Sequence, residues 1–102
     1  MSTQITIIGL GQIGASIGLG LAGQKQIVRV GQDLEPSVVK KAEKLGAVDK
    51  VIINLAKAVK EADVVILALP VDQIKDTLEF IAPELKPGAA APMTGAVGIR
   101  LY

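Results

Sequence analysis

Cysteine, histidine and tryptophan are all missing from this sequence of 102 residues, and Phe80 and Tyr102 are its only aromatic side chains. Without cysteine there is no disulfide framework and no thiol chemistry. Without histidine the commonest acid–base group at neutral pH is absent. With both missing, no plausible cluster of metal ligands remains, and neither a catalytic nor a metal-binding residue can be named. Charge of one sign is lacking as well: 11 Lys and Arg stand against 10 Asp and Glu, for a net +1. That balance makes no electrostatic case for nucleic acid or a membrane surface. No apolar run approaches the length of a membrane span. The first apolar run has no basic segment before it, so no secretory signal is expected. The expected location is the cytoplasm.

What is present is aliphatic. Half of the residues are hydrophobic and the mean hydropathy is +0.49, so the core must be built from Ile, Val, Leu and Ala. Length alone predicts one domain over residues 1–102, with a core of useful size. Residues 4–8 are β-branched and end at Gly9, which predicts a buried strand. Ile13, Ile17 and Leu21 then recur at helical spacing from Gln12 to about Ala22. Residues 27–30 predict a second strand, closed by Gly31-Gln32-Asp33. Pro36 opens a helix and Gly46 closes it, with Val38, Val39, Ala42 and Leu45 as its apolar stripe. A short strand at Val51 to Ile53 and a brief helix capped by Asn54 follow. Val64 to Leu69 is an unbroken apolar run, read as a central strand buried on both faces. Asp72 is read as the cap of a helix carrying Ile74, Leu78 and Ile81. Lys86-Pro87-Gly88 predicts a turn, and Ala89 to about Met93 a fifth strand, before an atypical tail of roughly ten residues.

Strands and helices thus alternate with short links. Right-handed crossovers turn that alternation into an α/β fold of Rossmann type. The prediction is an open parallel sheet of about five strands, order 3-2-1-4-5, with helices on both faces. Ligands of such sheets bind beyond the carboxyl ends of the strands, at the switch point beside the first strand.

The segment Gly9-Leu10-Gly11-Gln12-Ile13-Gly14 lies there, following a strand and opening a helix. In this setting Gly9 permits a tight turn, Gly11 lets backbone approach a pyrophosphate, and Gly14 lets helix and strand pack closely. The amides of about Gly11 to Ile13 then face the phosphates at the positive end of the helix. Asp33 ends the second strand 19 residues after Gly14, where a carboxylate can accept from both ribose hydroxyls. A 2′-phosphate would meet Asp33 and Glu35 with no adjacent arginine. NAD is therefore preferred and NADP remains possible, since Lys40 and Lys41 could bend toward the site. Leu34 is placed against adenine, and Leu69, Pro70 and Val71 against the nicotinamide half. The competing account is a structural turn with Asp33 as a solvated turn residue. Gly18 and Gly20 are both read as close-packing positions, since a helix glycine otherwise costs about 0.5–1 kcal/mol against alanine.

The stretches "ITIIGLGQIGASIGLGL", "GQDLEPSVVKKAEKLGAVD", "KEADVVILALPVDQI" and "LKPGA" together resemble the nucleotide-binding domain of prephenate and arogenate dehydrogenases. The resemblance covers residues 4 to about 90, and the wider 6-phosphogluconate dehydrogenase-like reductases share much of it. It implies NAD(P)-dependent oxidation and decarboxylation of prephenate in tyrosine biosynthesis, with Gly9, Gly11 and Gly14 at the pyrophosphate and Asp33 at the adenosine ribose. A rival is a nucleotide-sensing regulatory module of the potassium-transport type, which also reads strand, glycine turn, helix, strand, acid. "LALPV" and "LKPGA" argue against that rival.

After the fifth strand this family typically reads Asp-x-x-Ser-Val-Lys. Here Met93, Ala96 and Gly98 stand at the acid, serine and lysine positions. In a second alignment Ala91 stands where the family places a histidine. Either way, the resemblance implies that the catalytic apparatus and a helical carboxyl-terminal domain are missing. The expectation is cofactor binding without turnover. Self-association through residues 89–102 is expected where that domain would have covered apolar surface.

Overall fold

A computed structural model describes residues 2–86 and, for its last strand, the backbone of 98–101. Its elements run β1 (Thr3–Ile8), α1 (Gln12–Gly20), β2 (Ile27–Gln32), α2 (Pro36–Leu45), β3 (Lys50–Val51), α3 (Leu55–Lys60), β4 (Val64–Leu67), α4 (Val71–Ile81), a 3₁₀ turn (Ala82–Glu84) and β5 (Gly98–Leu101). All strand pairs are parallel and the sheet order is β3-β2-β1-β4-β5, as the alternation predicts.

β1 and β4 each feed one core on each face. Ile5 and Ile7 of β1, with Ile66 of β4, pack beneath α1 and α2 against Ala15 and Ala42. Ile8, Val65 and Leu67 point the other way, toward Val59 and Ile81 of α3 and α4. This is the period of two in a strand serving two helical layers. Thr6 also points into the second layer and is fully buried. Its hydroxyl donates to the Ala58 carbonyl at 2.7 Å, so the burial leaves no unmet polar group.

Local signals set the boundaries. Pro36 is the first residue of α2, and Gly46 closes it in the left-handed region at φ 74°. Of the expected stripe on α2, Val39 and Ala42 are buried, while Leu45 is 51% exposed. The Asn54 side chain caps α3 by accepting from the Lys57 amide at 3.0 Å. Asp72, in contrast, does not cap α4. The Gln73 amide already bonds the Pro70 carbonyl at 2.9 Å, so the helix begins at Val71 and Asp72 lies in its first turn. There its charge favours the helix dipole without capping.

Two further expectations are corrected. β4 stops at Leu67 rather than Leu69, because the last sheet bond on that side is Ala68 amide to Ile8 carbonyl, 2.9 Å. The fifth strand is Gly98–Leu101, paired from Val64↔Gly98 to Leu67↔Leu101. Gly98 is therefore a strand residue, not part of a segment following the strand. The expected strand at 89–93, the turn at Pro87 and Gly88, Ala91, Met93 and Ala96 lie outside the described residues.

The end of the sheet opposite the carboxyl ends of the strands is held by ions. Arg29 of β2 is buried and donates through Nη1 to the carbonyls of Gly18 (2.9 Å) and Gly46 (2.8 Å). Its Nη2 reaches Asp49 Oδ1 at 3.1 Å, and its own amide donates to Asp49 Oδ2 at 2.7 Å. The Arg29 side chain, and then its amide, hold the Asp49 carboxyl below the usual 3.8. Asp63 is lowered too, first by its pairing with Lys86 and then by the Gln4 amide, which donates to it at 2.8 Å.

Both carboxylates bind a proton less readily in the folded chain than in the unfolded one. Their stabilisation is complete above the ordinary carboxylate pKa and is lost as pH falls through the depressed values. The thermal midpoint is expected to drop between about pH 5 and about pH 2, and to drop less steeply in Asp49→Asn. Thermal melts across that range check it. Parallel curves for the two proteins would remove Asp49 from the account.

Candidate functional site

The carboxyl ends of β1, β2 and β4 meet at the glycine turn. Gly9 sits at φ +94°, and a Cβ there would fall 2.5 Å from the Ala68 carbonyl oxygen. Only glycine takes that backbone without strain. A Cβ on Gly14 would fall 1.8 Å from the Gly9 carbonyl oxygen, which is how closely α1 lies against the turn. Gly18 is held by the same logic, since a Cβ there would fall 2.0 Å from the Ala47 carbonyl oxygen. Gly20 is not, since nothing lies within 4 Å of its missing Cβ. The packing role expected of Gly20 is therefore wrong: it sits at the end of α1 with none of the described residues packed against that position.

Gly11 behaves differently from its neighbours. It is exposed and stands just before α1 in extended conformation (φ −68°, ψ −161°), and no atom of the described residues lies within 4 Å of where its Cβ would be. No close approach among the described residues calls for a glycine here, although its place at the N-cap of α1 favours glycine over alanine. The first bond inside the helix is Ala15 amide to Gly11 carbonyl, 2.9 Å. No side chain caps α1 and no acid lies in its first turn. The amides of Gln12, Ile13 and Gly14 thus have no acceptor within the helix and stand at its positive end.

Asp33 is tied to this turn. Its Oδ2 accepts from the Leu10 amide at 2.9 Å and its Oδ1 from the Glu35 amide, also at 2.9 Å. It is half-buried, so it is more than a solvated turn residue. Each oxygen keeps a lone pair free for a further donor. The Leu10 side chain is buried over Gly31, where a Cβ would come within 2.9 Å of it. The turn is anchored from both sides.

Two crevices flank it. One, of about 240 Å³, is bordered by Gly9, Asp33, Leu34 and Leu69, together with Leu55, Gln73 and Thr77. The other, of about 360 Å³, is formed by Gly11, Gln12, Ile13, Ala68, Leu69 and Pro70. Leu69 is common to both. Ten of the eleven residues expected at the site line a crevice or groove around the turn or, as with Gly14, are packed beneath it. Val71 lies apart, 86% exposed at the start of α4. Lys41 borders a groove of about 470 Å³ between α1 and α2 that takes in Leu10, Gly11 and Gln12 of the turn but not Asp33. Sequence reading missed Gln73 and Thr77. The available signal was their being the two uncharged polar residues of α4.

Among the described residues no cluster of metal-ligating side chains occurs, and no helix is long and apolar enough to cross a membrane.

Comparison with known proteins places these features among dehydrogenases. The sequence profile of a family described as NADP oxidoreductase, coenzyme F420-dependent, matches residues 4–89. A prephenate dehydrogenase of Lactococcus lactis is 40% identical over 87 residues, which are 83% of this chain and 24% of that protein. The crystal structure of Synechocystis arogenate dehydrogenase superposes with a TM-score of 0.71 at 31% identity, over 83% of this chain and 30% of that one. Prephenate dehydrogenase of Aquifex aeolicus, in complex with hydroxyphenyl propionate and NAD+, superposes at 0.73 with 25% identity, over the same shares. The chain spans about a quarter of the length of the curated relatives it matches.

Proposed function

We propose that this chain, which belongs to the family described as NADP oxidoreductase, coenzyme F420-dependent, binds NAD(H) across the glycine turn and has the adenosine end of the cofactor at Asp33. Its relation to the NAD(P)-binding domain of prephenate and arogenate dehydrogenases supports that reading. The observation that carries it is Gly11, whose missing Cβ meets nothing among the described residues, and which lines the 360 Å³ crevice beside helix amides that have no acceptor within the helix. Gly9, Leu10, Gly11, Gln12, Ile13 and Gly14 form the pyrophosphate cradle. Asp33 takes the ribose hydroxyls and Leu34 covers the base. Leu69 and Pro70 border the nicotinamide half, with Val71 at its outer rim. Asp33 repels a 2′-phosphate, which favours NAD over NADP.

When bound, the nicotinamide supplies a hydride acceptor. The protein's own part is positioning: the turn is anchored by Leu10 and Asp33 before any ligand arrives, so little ordering accompanies binding. Oxidation of prephenate additionally requires a held substrate and a group that takes the hydroxyl proton. The sequence contains no histidine for that step, so the 102-residue chain binds cofactor without oxidising prephenate. The apolar side chains of Ile13 and Val71, 58% and 86% exposed at the nicotinamide end, are the surface that a second domain or a second copy covers.

Calorimetric titration with NADH and then NADPH, together with an assay of prephenate oxidation with NAD+ as the oxidant, tests this. Saturable binding of NADH, weaker binding of NADPH and no turnover of prephenate are expected. No saturable binding of either dinucleotide would overturn the reading, and prephenate oxidation by the isolated chain would overturn its second half.

A further inference from the structure

We propose that the crevice beneath Leu34 reads the purine of the dinucleotide by hydrogen bonding, through the Gln73 amide and the Thr77 hydroxyl. The inference rests on the cofactor reading above and concerns which residues recognise the base.

The two side chains lie one turn apart on α4, and both line the 240 Å³ crevice together with Asp33, Leu34 and Leu69. Its volume is below the roughly 300–1,000 Å³ of sites that take a whole small molecule and suits a single ring system. The composition of α4 points the same way. Its other polar residues are the charged Asp72, Lys75, Asp76 and Glu79. Of its apolar residues, Ile74, Leu78 and Ile81 pack into the core while Val71 and Phe80 are exposed. The two uncharged polar side chains are the two that border the crevice. Among the described residues neither makes a side-chain hydrogen bond.

Gln32, by comparison, also reaches this crevice but spends its amide on the Ile53 carbonyl at 2.8 Å. Leu34 is 79% exposed on the rim, an apolar wall of the crevice.

This donor and acceptor set matches adenine. A glutamine amide can accept from the 6-amino group while donating to a neighbouring ring nitrogen, and a threonine hydroxyl can serve a further ring nitrogen. Asp33, on the same crevice, is left to the ribose. Base recognition here is thus polar as well as apolar, and it is carried by α4 rather than by the glycine turn.

Binding of NAD and of 1,N6-etheno-NAD, whose base has lost the 6-amino donor, is measured by calorimetry on the native chain, Gln73→Leu and Thr77→Val. Gln73 is exposed and Thr77 only half-buried, so both variants should fold, and circular dichroism checks this. The native chain should prefer NAD over the etheno analogue by about three- to tenfold. In Gln73→Leu, NAD should weaken by a similar factor while the analogue is unchanged, so that the preference disappears. Thr77→Val should weaken NAD by a smaller factor. Unchanged affinity for NAD in Gln73→Leu, with the preference intact, would overturn this inference and leave the cofactor reading standing. A native chain that binds neither dinucleotide would overturn both.

Discussion

Gly14→Ala should destabilise the fold by about 3 kcal/mol, at the upper end of what overpacking usually costs. The sign runs against helix propensity, which alone favours alanine by about 0.8–1 kcal/mol in a helix interior. The reason is the 1.8 Å separation between the added Cβ and the Gly9 carbonyl oxygen. That oxygen belongs to backbone that cannot swing away, because Gly9 is itself wedged against Ala68 and its amide bonds the Gln32 carbonyl at 2.8 Å. Gly20→Ala, in the same helix, should instead stabilise by about 0.5–1 kcal/mol, since its Cβ meets nothing. Urea unfolding of the two variants measures both. A Gly14→Ala protein as stable as the native chain would mean that α1 can lift off the turn, contrary to the packing described.

Gly11→Ala should do the converse, sparing the fold and damaging the site. The backbone at Gly11 is accessible to any L-residue and no described atom stands over it, so stability should fall by no more than about 1 kcal/mol, the cost of alanine in place of glycine at the N-cap of α1. If a pyrophosphate lies against that backbone, the added methyl must displace it. A penalty of about 1–3 kcal/mol corresponds to a loss of roughly 5- to 150-fold in NADH affinity. Thermal melts and NADH titration on one preparation separate the two effects. Unchanged affinity would show that Gly11 faces no ligand and would leave the turn a purely structural feature.

The alternation of strands and helices was legible because punctuation residues mark it: Pro36, Gly46 and Asn54 each do what their local chemistry predicts. The end of the sheet was less legible. From Gly88 to Leu101 the sequence is rich in alanine and glycine, without a period that separates one strand-length segment from another, so β5 was expected at 89–93 rather than at Gly98–Leu101.

At the site, the turn and its acid could be read because their spacing reflects a single local unit, strand–turn–helix–strand. What could not be read depends on partners distant in sequence. Gly18 and Gly20 are indistinguishable until Ala47 is seen against only one of them. Asp33 gives no hint in the sequence of its bond to Leu10. Gln73 and Thr77 look like an ordinary solvated pair until the crevice brings Leu34 opposite them.

The Arg29 cluster separates two jobs that proteins often run together. One guanidinium gathers the carbonyls of Gly18 and Gly46 and the carboxylate of Asp49, all at the edge of the sheet remote from the glycine turn. Stability anchored there is insulated from whatever happens at the opposite rim. If Leu34, Gln73 and Thr77 read the base as proposed, substitutions there would change ligand preference and leave the scaffold standing, while a change at Arg29 would weaken the scaffold that carries the site.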